Sequence, residues 1–579
     1  MHNPIASGRK IIALHYAALS ALFINIIWLS WKYVDLTSGD TSAYYITARR
    51  FSTDLTCNIA WSPIYTSLLG AFHWINPDPY FAVLGHRILI LATITVLIFE
   101  IARRIMDPWV AWFVTAWWLC LPINFHSLYE VHLFAVIPIL IFWLILTCRQ
   151  TPRARGWALG VLLTAMFLVR NEFLIPLAIF SLASLGYDIF KPERIEGKVA
   201  WGKYAQAYGI PVLLSLLLIG TTYWRSSAKF PELKSVFRSK HTLNVSQIYA
   251  FGYAQRHADY QKSPWTDYHS LMQEEFGADD ISMGEAFIKN PKAMMSHFLW
   301  NAGLIPSGIQ LGLFNVRSGD VNPDYAPSAI NRPVALSLSL AAAALLILAL
   351  YLARRSPETA RLWFKHNIWL VIGISSACAA VVVVMIMQRP RPSYMFTLTL
   401  TLMLLLGLAA NVIWSRFKNK TAAHLLPLLL CGAVIVLSPT FRDEQSRPVK
   451  RITRLLLGKS RPPQTRLLLS YYRLLSPYSP ELNSLQDKAA VASYPSELNS
   501  YLGFGATPPG RRFIWIDEML PTLGDTDTIE EKFSALNVRY ALFRHDQLAL
   551  PAVRDFLHEN TRWTQIDTHN SGIIFVAKK

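Results

Sequence analysis

The sequence predicts a mainly α-helical, polytopic membrane protein. Of its 579 residues, 53% are hydrophobic and 19 are Trp, and the mean hydropathy is +0.29. A soluble protein of this size is rarely so apolar. Apolar runs close to the length that crosses a bilayer recur along the chain, and basic residues cluster between alternate runs, as they do in cytoplasmic loops.

Eleven apolar segments are predicted as spans, since a helix needs about 20 residues to cross the hydrocarbon core. They lie near residues 11–31, 88–102, 108–124, 132–148, 157–169, 172–189, 205–223, 333–353, 367–387, 394–414 and 421–438. The segments 157–169 and 172–189 are separated only by Arg170-Asn171-Glu172. A single kinked helix is the alternative there, and it would reverse the sidedness of every later segment.

Loop charges favour two crossings at that point. With a cytoplasmic N-terminus, the inside loops carry the Lys and Arg clusters, whereas the short outside turns carry only Arg170, Arg389 and Arg391. The net charge of +18 (55 Lys+Arg against 37 Asp+Glu) therefore reflects membrane topology. No nucleic-acid module or Gly-rich phosphate loop is recognisable, so nucleic acid is not an expected partner.

Three larger segments are predicted outside the membrane: 33–87, 224–332 and 439–579. The predicted organisation is a transmembrane domain over 1–438, a basic interfacial linker over 439–487 and an extracytoplasmic α/β domain over 488–579. Leucines among arginines favour linker helices on lipid headgroups, with a solvated linker as the alternative. The α/β domain rests on three strand-like stretches, RRFIWID, VRYALFR and GIIFVAKK, and on the amphipathic stretch DTIEEKFSAL.

A polar stretch, SGDTSAYYITARRF at 38–51, follows the first predicted span. Asp40 precedes a helix-favouring run and could simply cap that helix. Helical spacing, however, places Asp40 and Tyr44 on one face, with Arg49 and Arg50 further along. Polar groups at the lipid boundary usually mark a substrate path.

This stretch resembles the first extracytoplasmic loop of the GT-C glycosyltransferases. The pattern Asp-x-x-x-Tyr-x-x-x-Ala-Arg is present as Asp40, Tyr44 and Ala48-Arg49. Further motifs follow in the family's order over roughly residues 10–415: WSPIYTSLLG at 61–70, His86-Arg87, Tyr129-Glu130-Val131-His132, LVRNE at 168–172 and RPRPSY at 389–394. Two positions depart from the family's pattern, since Asp40-Thr41 replaces a frequent Asp-Glu and Asn171 replaces Pro.

The resemblance implies a GT-C-like bundle that transfers a sugar, with inversion, from a polyprenyl-phosphate donor to an acceptor hydroxyl on the outer face. Asp40 is the expected catalytic base, with Asp35 and Asp54 as rival acids in the same loop. Guanidinium groups would hold the phosphate leaving group. The predicted substrate-binding residues are Tyr44, Arg49, Arg87, Glu130, His132, Arg170, Glu172, Arg389, Arg391 and Tyr394.

Several of these residues could have a structural role instead. The outer arginines could anchor the chain to headgroups, and Glu172 could simply pair with Arg170. Glu130, His132 and His126 could join Asp40 around a divalent metal ion, as in some relatives, but a structural or substrate-contact role is favoured and the cofactor stays open. His297 and Trp300 receive no role from the sequence.

The predicted location is the inner (plasma) membrane, with the active site facing the periplasm. Expected partners are the lipid-linked sugar donor, a glycan, lipid or protein acceptor, and membrane lipids. Two other classes compete: a transporter or lipid-linked glycan flippase, and an O-antigen ligase or polymerase. Transporters tend to show inverted repeats, and no repeat is recognisable here. Ligases and polymerases usually carry their catalytic groups in a late large loop.

Overall fold

The computed structural model describes the chain over residues 4–27, 40–76, 79–121, 130–190, 194–195, 198–199, 201–227, 233–260, 262–264, 267–324, 328–416, 422–437, 490–493, 512–515, 529–544, 551–559, 562–569 and 573–578. The predicted mainly α-helical, polytopic class is confirmed. Eight of the described helices are long and apolar enough to cross a membrane.

The described part of the chain up to residue 437 is mainly helical. Its helices are α1 Pro4–Ile27, α2 Asp40–Asp54, α3 Pro63–Ile75, α4 Pro79–Ile105, α5 Pro108–Cys120, α6 Glu130–Cys148, α7 Pro152–Leu168, α8 Leu174–Phe190, α9 Trp201–Ser227, α10 Leu233–Arg256, α11 Tyr268–Phe276, α12 Met283–Lys289, α13 Pro291–Phe314, α14 Arg332–Arg354, α15 Pro357–Met387, α16 Phe396–Trp414 and α17 Ala422–Leu437. Short 3-10 turns lie at Ile59–Trp61, Asn171–Phe173 and Pro392–Met395.

Each predicted span contains a helix, but three of these helices are short. The helices α5, α7 and α17 have 13, 17 and 16 residues, less than the roughly 20 that a full crossing needs. Eight of the described helices are long and apolar enough to cross a membrane. The number of eleven spans therefore stays a prediction. The single-helix alternative for 157–189 is wrong, because Val169 and Arg170 leave the helical conformation between α7 and α8.

The chain forms two compact units, one of Met1–Ser30 with Ile88–Pro462 and the other of Trp31–Arg87 with Pro463–Lys579. In the first unit, α7 and α9 approach each other closely at Gly156. A Cβ on this glycine would lie 1.9 Å from Ala207 O. A buried ion pair joins Arg155 of α7 to Asp188 of α8, and Tyr208 of α9 donates to Asp188 at 2.5 Å. The glycine contact and the hydrogen-bonded Asp188 therefore hold α7, α8 and α9 against one another.

The segment between α9 and α14 also belongs to the first unit and has its own core. Helices α10 to α13 bury Tyr249, Leu271, Met272, Phe276 and Met294 among their neighbours. A capping box at Ser282 begins α12. Helices α10 to α12 therefore share one core with α13, which has 24 residues.

In the second unit, α2 and α3 pack side by side. A Cβ on Gly70 would lie 2.5 Å from Ala48 O, so only glycine permits this approach. Tyr45 of α2 is hydrogen-bonded to His73 Nδ1 of α3 at 2.9 Å, and Trp74 donates to Ser52 O at 2.8 Å. The two helices of the first predicted outer loop therefore form a hairpin.

The C-terminal part contains a five-stranded sheet in the order β4-β3-β5-β7-β6. Its strands are β3 Ala490–Ser493, β4 Arg512–Trp515, β5 Val538–Arg544, β6 Trp563–His569 and β7 Ile573–Lys578, after the short hairpin of β1 Arg194–Ile195 and β2 Lys198–Val199. Helices α18 Ile529–Ala535 and α19 Pro551–Glu559 accompany it. Strand β3 is parallel to β4 and β5, whereas β7 is antiparallel to β5 and β6.

The core of this α/β part is largely aromatic, since Phe533, Phe543, Phe556 and Trp563 pack together. The three stretches predicted as strands contain β4, β5 and β7, and the predicted helix contains α18. The boundaries 439–487 and 488–579, and the placement of this part outside the membrane, stay predictions. The interfacial segment 446–476 lies outside the described residues.

Candidate functional site

The double-arginine turn, Arg389-Pro390-Arg391, lies between α15 and α16 in the first unit. Both arginines are 7% exposed. Arg391 lies over the ring of Tyr394 at 4.5 Å, and Arg389 over the ring of Phe251 in α10 at 4.4 Å. Backbone hydrogen bonds from Arg391 N to Arg389 O at 2.8 Å and from Tyr394 N to Arg391 O at 3.0 Å close the turn. Two cations are thus held on aromatic faces.

A second arginine turn, Arg170-Asn171-Glu172, lies between α7 and α8. Arg170 Nε donates to Glu172 Oε1 at 2.6 Å. Their side chains are 20% and 33% exposed. The Arg170 guanidinium lies 5.9 Å from the ring centre of Tyr394. Tyr394 thus stands beside Arg170 and Arg391, and the two turns share one place in the fold.

A small cavity of about 50 Å³ opens at these turns. Its polar lining consists of His132, Glu172, Ser393, Tyr394 and Thr397. The remaining lining residues are apolar and come from α6, α8, α15 and the segments next to them: Ala135, Val136, Ile139, Phe173, Pro176, Ala377, Ala380, Val381, Val384 and Phe396. From Ala377 to Val384 the wall follows two turns of α15, about 10 Å. The cavity therefore has apolar walls and a polar mouth, which His132, Glu172 and Tyr394 border. Arg170 and Arg391 lie next to this mouth, beside the Tyr394 ring.

His132 lies at this mouth, in the first turn of α6. Its ring meets the ring of Tyr394 edge-on at 4.8 Å, and it is close enough to Arg170 and Arg391 to interact electrostatically with both. Both ring nitrogens are buried, and neither has a hydrogen-bond partner among the residues that the structure describes. An imidazole placed in this way can donate to or accept from a bound polar group.

Of the residues predicted to bind substrate, six meet in this part of the first unit: His132, Arg170, Glu172, Arg389, Arg391 and Tyr394. Glu130 begins α6, and its side chain lies outside the described part of the structure, as do His126 and Tyr129 entirely. The prediction that Glu172 could simply pair with Arg170 is confirmed. Glu172 also lines the cavity, so the ion pair and a substrate contact are compatible.

The predicted residues of the first outer loop belong to the second unit. Tyr44 is 8% exposed and meets Trp61 and Tyr65 edge-on, each at 5.1 Å. Burial lowers the pKa of His73, and the nearby charge of Arg49 lowers it further. Arg87 of α4 is 2% exposed. An aromatic layer thus lies under the face of α2 that carries Tyr44.

Asp40 is the first residue of α2, and its side chain lies outside the described part of the structure. The helical register predicted for Asp40 and Tyr44 is confirmed, since both lie in α2. The rival Asp35 lies outside the described residues. The rival Asp54 ends α2, where Thr56 donates to its Oδ1 through the backbone N–H at 3.0 Å and also through its hydroxyl. These bonds give Asp54 a role in ending the helix.

The predicted metal site stays a prediction, because of its four residues only His132 has a described side chain. Within the described ranges, no group of three or more His, Cys, Asp or Glu side chains converges. His132 and Glu172 line the same cavity, where Glu172 is paired with Arg170 and Arg391 lies nearby. A guanidinium group repels a dication and attracts an anion.

Sequence reasoning missed several residues that shape this place. The alanines of α15 and Phe251 of α10 have no polar signature, so nothing in the sequence marks them as cavity wall or as a cation's support. No role was predicted for Asn301, although it follows His297 by four residues in an apolar helix. A polar pair at that spacing in α13 was the available signal.

No protein-family model matches the chain, and no curated protein matches it. Similar solved structures include the crystal structure of ArnT from Cupriavidus metallidurans bound to undecaprenyl phosphate, with 12% identity, a TM-score of 0.48 and coverage of 98% of each chain. They also include the archaeal oligosaccharyltransferase AglB from Archaeoglobus fulgidus in complex with an inhibitory peptide and a dolichol-phosphate. Its identity is 9% and its TM-score 0.42, over 93% of this chain and 69% of that one. At such scores the likeness assigns no function to this chain.

Proposed function

We propose that the protein is an integral-membrane glycosyltransferase. It transfers a sugar from a polyprenyl-phosphate donor to an acceptor hydroxyl on the outer, periplasmic face, with inversion at the anomeric carbon. One observation carries most of the proposal: the cavity in the first unit joins an apolar wall to the polar side chains of His132, Glu172 and Tyr394. The guanidinium groups of Arg170 and Arg391 lie beside the Tyr394 ring.

The apolar wall supports a lipid as the ligand. Alanine and valine side chains of α15, together with Ala135, Val136 and Ile139 of α6, give the cavity an apolar wall. A sugar nucleotide, which is polar throughout, would leave its groups unsatisfied there. An isoprenoid chain gains free energy by burial on such a surface. A lipid-linked donor therefore suits the wall.

The mouth supports a phosphate as the headgroup. Arginine presents a planar fork that matches phosphate oxygens in pairs. Headgroup anchoring by snorkelling would place the guanidinium outside the protein surface, but Arg389 and Arg391 are 7% exposed and stacked on aromatic rings. Their burial favours a ligand inside the protein. His132 adds ring nitrogens at the same place.

The proposed chemistry needs a base and a stabilised leaving group. The acceptor oxygen attacks the anomeric carbon from the face opposite the phosphate, a new C–O bond forms, and the bond from carbon to phosphate oxygen breaks. The hydroxyl proton passes to the carboxylate of Asp40, while arginines at the mouth stabilise the departing lipid phosphate. The assignment of Asp40 rests on its place in the first-loop pattern and at the start of α2.

A direct test compares Asp40→Asn with the unchanged protein in cells that lack the native copy. We expect transfer to fall by a factor of about 10²–10⁴, the usual contribution of a general base, with undecaprenyl-phosphate binding retained. Mass spectrometry of surface glycans measures the product, and the same comparison identifies the sugar and the acceptor. Asp54→Asn is the matched control in the same helix. Full activity of Asp40→Asn would remove the mechanism.

A transporter or flippase stays the second candidate. It would move a lipid-linked glycan without breaking a bond, so no new glycosidic linkage would form. The arginines at the mouth could serve either protein, but a general base serves only the transferase. Loss of product in Asp40→Asn with unchanged movement of the lipid across the membrane therefore separates the two.

A further inference from the structure

Two polar residues of α13 hold the carboxyl end of α15, directly before the double-arginine turn. His297 Nε2 lies 3.0 Å from Met387 O, and Asn301 Nδ2 donates to Ile386 O at 3.0 Å. His297 and Asn301 are 1% and 0% exposed. The last carbonyls of a helix lack partners within the helix. These two side chains therefore cap α15 where the chain turns toward Arg389.

His297 Nε2 lies 3.0 Å from Met387 O and 3.1 Å from Asn301 Nδ2. A carbonyl oxygen only accepts, so the bond to Met387 O places the proton on Nε2, and Asn301 Nδ2 then donates to Ile386 O alone. In that tautomer Nδ1 is unprotonated, and it is buried without a hydrogen-bond partner among the described residues. Burial lowers the pKa of His297 to about 4, against the raising effect of the bond to Met387, and the charge of Arg256 lowers it further. The ring is therefore neutral near pH 7.

The same face of α13 contacts the turn itself further along. A Cβ on Gly308 would lie 2.5 Å from Pro390 O. Residues 297, 301, 305, 308 and 312 repeat at helical spacing and so share one face, and Ile305 packs against Met385 and Met395 in a small core. One helix face thus holds the end of α15, the proline between the two arginines and the 3-10 turn that follows.

Helix α10 supports the His297 ring from the other side. A Cβ on Gly252 would lie 2.7 Å from His297 Nδ1 and 2.8 Å from His297 Cε1. The neighbouring Phe251 carries the Arg389 guanidinium on its ring. A change at position 252 would therefore move the ring of His297 without removing any hydrogen-bonding group.

We infer that His297 and Asn301 are positioning residues for the proposed phosphate site: by capping α15 they set the place of Arg389 and Arg391. This inference deepens the proposed function and rests on it for its ligand. Neither residue touches the cavity lining. Their effect passes through the backbone carbonyls of Met387 and Ile386 into the turn.

The test uses the purified full-length protein in nanodiscs, with undecaprenyl phosphate as the ligand and native mass spectrometry as the binding assay. His297→Asn should weaken binding about tenfold, since it leaves a buried carbonyl without its donor. His297→Gln should restore most of the affinity. The amide nitrogen of Gln reaches the position of Nε2, whereas that of Asn reaches only the position of Nδ1. Equal losses in both variants would overturn the inference.

A matched glycine pair tests the same point without touching a polar group. Gly252→Ala should weaken binding about as much as His297→Asn, because the new methyl group displaces the ring. Gly303→Ala in α13 meets nothing within 4 Å and should bind as the unchanged protein does. Alanine favours a helix over glycine at both positions, so a loss confined to position 252 reports the steric contact.

Hydrogen–deuterium exchange of the segment 386–396, measured without lipid, separates the two proposals. The inference predicts faster exchange of the Arg391 and Tyr394 amides in His297→Asn and Gly252→Ala than in His297→Gln and Gly303→Ala. That pattern, with no lipid binding by the unchanged protein, would sink the proposed function and keep the positioning role. Lipid binding with identical exchange in all four variants would keep the function and end the positioning role.

Discussion

The two arginine turns of the first unit look alike in sequence and differ in structure. Both are short turns next to an apolar helix, and both border Tyr394. Arg391 is 7% exposed, and its turn is built against one face of α13. The Arg170 side chain is 20% exposed and paired with Glu172. The same residue type is therefore buried against an aromatic ring in one turn, and partly exposed and paired with a carboxylate in the other.

This difference separates the roles that each turn can take. A cation held on an aromatic ring in a fixed turn needs little reorganisation to receive an anion. An arginine paired with a carboxylate must share its charge or exchange partners first. We therefore expect the 389–391 turn to supply most of the phosphate affinity and the 170–172 turn to adjust it.

The largest expected effect is that of Arg391→Gln. Removal of a charge that makes paired hydrogen bonds should cost about 3 kcal/mol of binding free energy, roughly 100-fold in the Kd for undecaprenyl phosphate. Arg354→Gln, on the exposed end of α14, removes the same charge elsewhere and should leave the Kd unchanged. Equal Kd values for the two variants would break the distinction between fixed and incidental arginines.

The pH dependence of stability should reveal the support behind the fixed turn. His297 has a folded-state pKa of about 4 against an ordinary value near 6.5. The unfolded chain therefore binds a proton that the folded chain refuses, and stability falls as pH drops from about 6.5 towards 4. The expected loss between pH 8 and pH 5 is about 2 kcal/mol.

Thermal unfolding in detergent at those two pH values measures this loss. His297→Gln does not titrate there, so its stability should fall less over the same interval by about that amount. Identical pH profiles for the two proteins would mean that His297 is not buried in its neutral form.

Filling the cavity should have a smaller effect. Ala380→Leu adds bulk to a wall that the lipid chain would occupy, and overpacking of this kind costs about 1–3 kcal/mol. We expect undecaprenyl phosphate to bind roughly tenfold more weakly. Ala343→Leu on the exposed face of α14 makes the same chemical change and should not alter binding. An unaffected Kd in Ala380→Leu would place the lipid chain elsewhere.

The smallest expected effect is that of Arg170→Gln. Because its charge is shared with Glu172 and partly exposed, its loss should cost less than about 1 kcal/mol, or about fivefold at most in the same Kd. A loss as large as that of Arg391→Gln would show that the ion pair opens for the ligand, and the contrast between the turns would disappear.

The sequence predicted most of the helices in their order along the chain. It predicted little of the difference between the two arginine turns. Span positions followed from long apolar runs and loop charge, and the break between α7 and α8 followed from the Arg-Asn-Glu interruption, because such patterns are local. The strands β4, β5 and β7 followed from alternating apolar residues. Strands β3 and β6 were missed, since short or mixed stretches such as WTQIDTH become strands through their neighbours in the sheet.

The candidate site was predicted by residue type but not by environment. The sequence predicted that Arg170, Arg389 and Arg391 lie in turns between apolar helices, whereas their burial and pairing depend on contacts from distant helices. Phe251 reaches Arg389 from more than a hundred residues away in the chain, and Asn301 contacts Ile386 across a separation of 85 residues. Such contacts are set by packing and leave no periodic trace in the sequence.

The central claim is that the cavity of the first unit binds a lipid phosphate. The most direct measurement compares undecaprenyl phosphate with undecaprenol, which has the same chain and no charge, by native mass spectrometry of the unchanged protein and of Arg391→Gln. We expect a strong preference for the phosphate that largely vanishes in Arg391→Gln. Equal binding of the two lipids by the unchanged protein would contradict it.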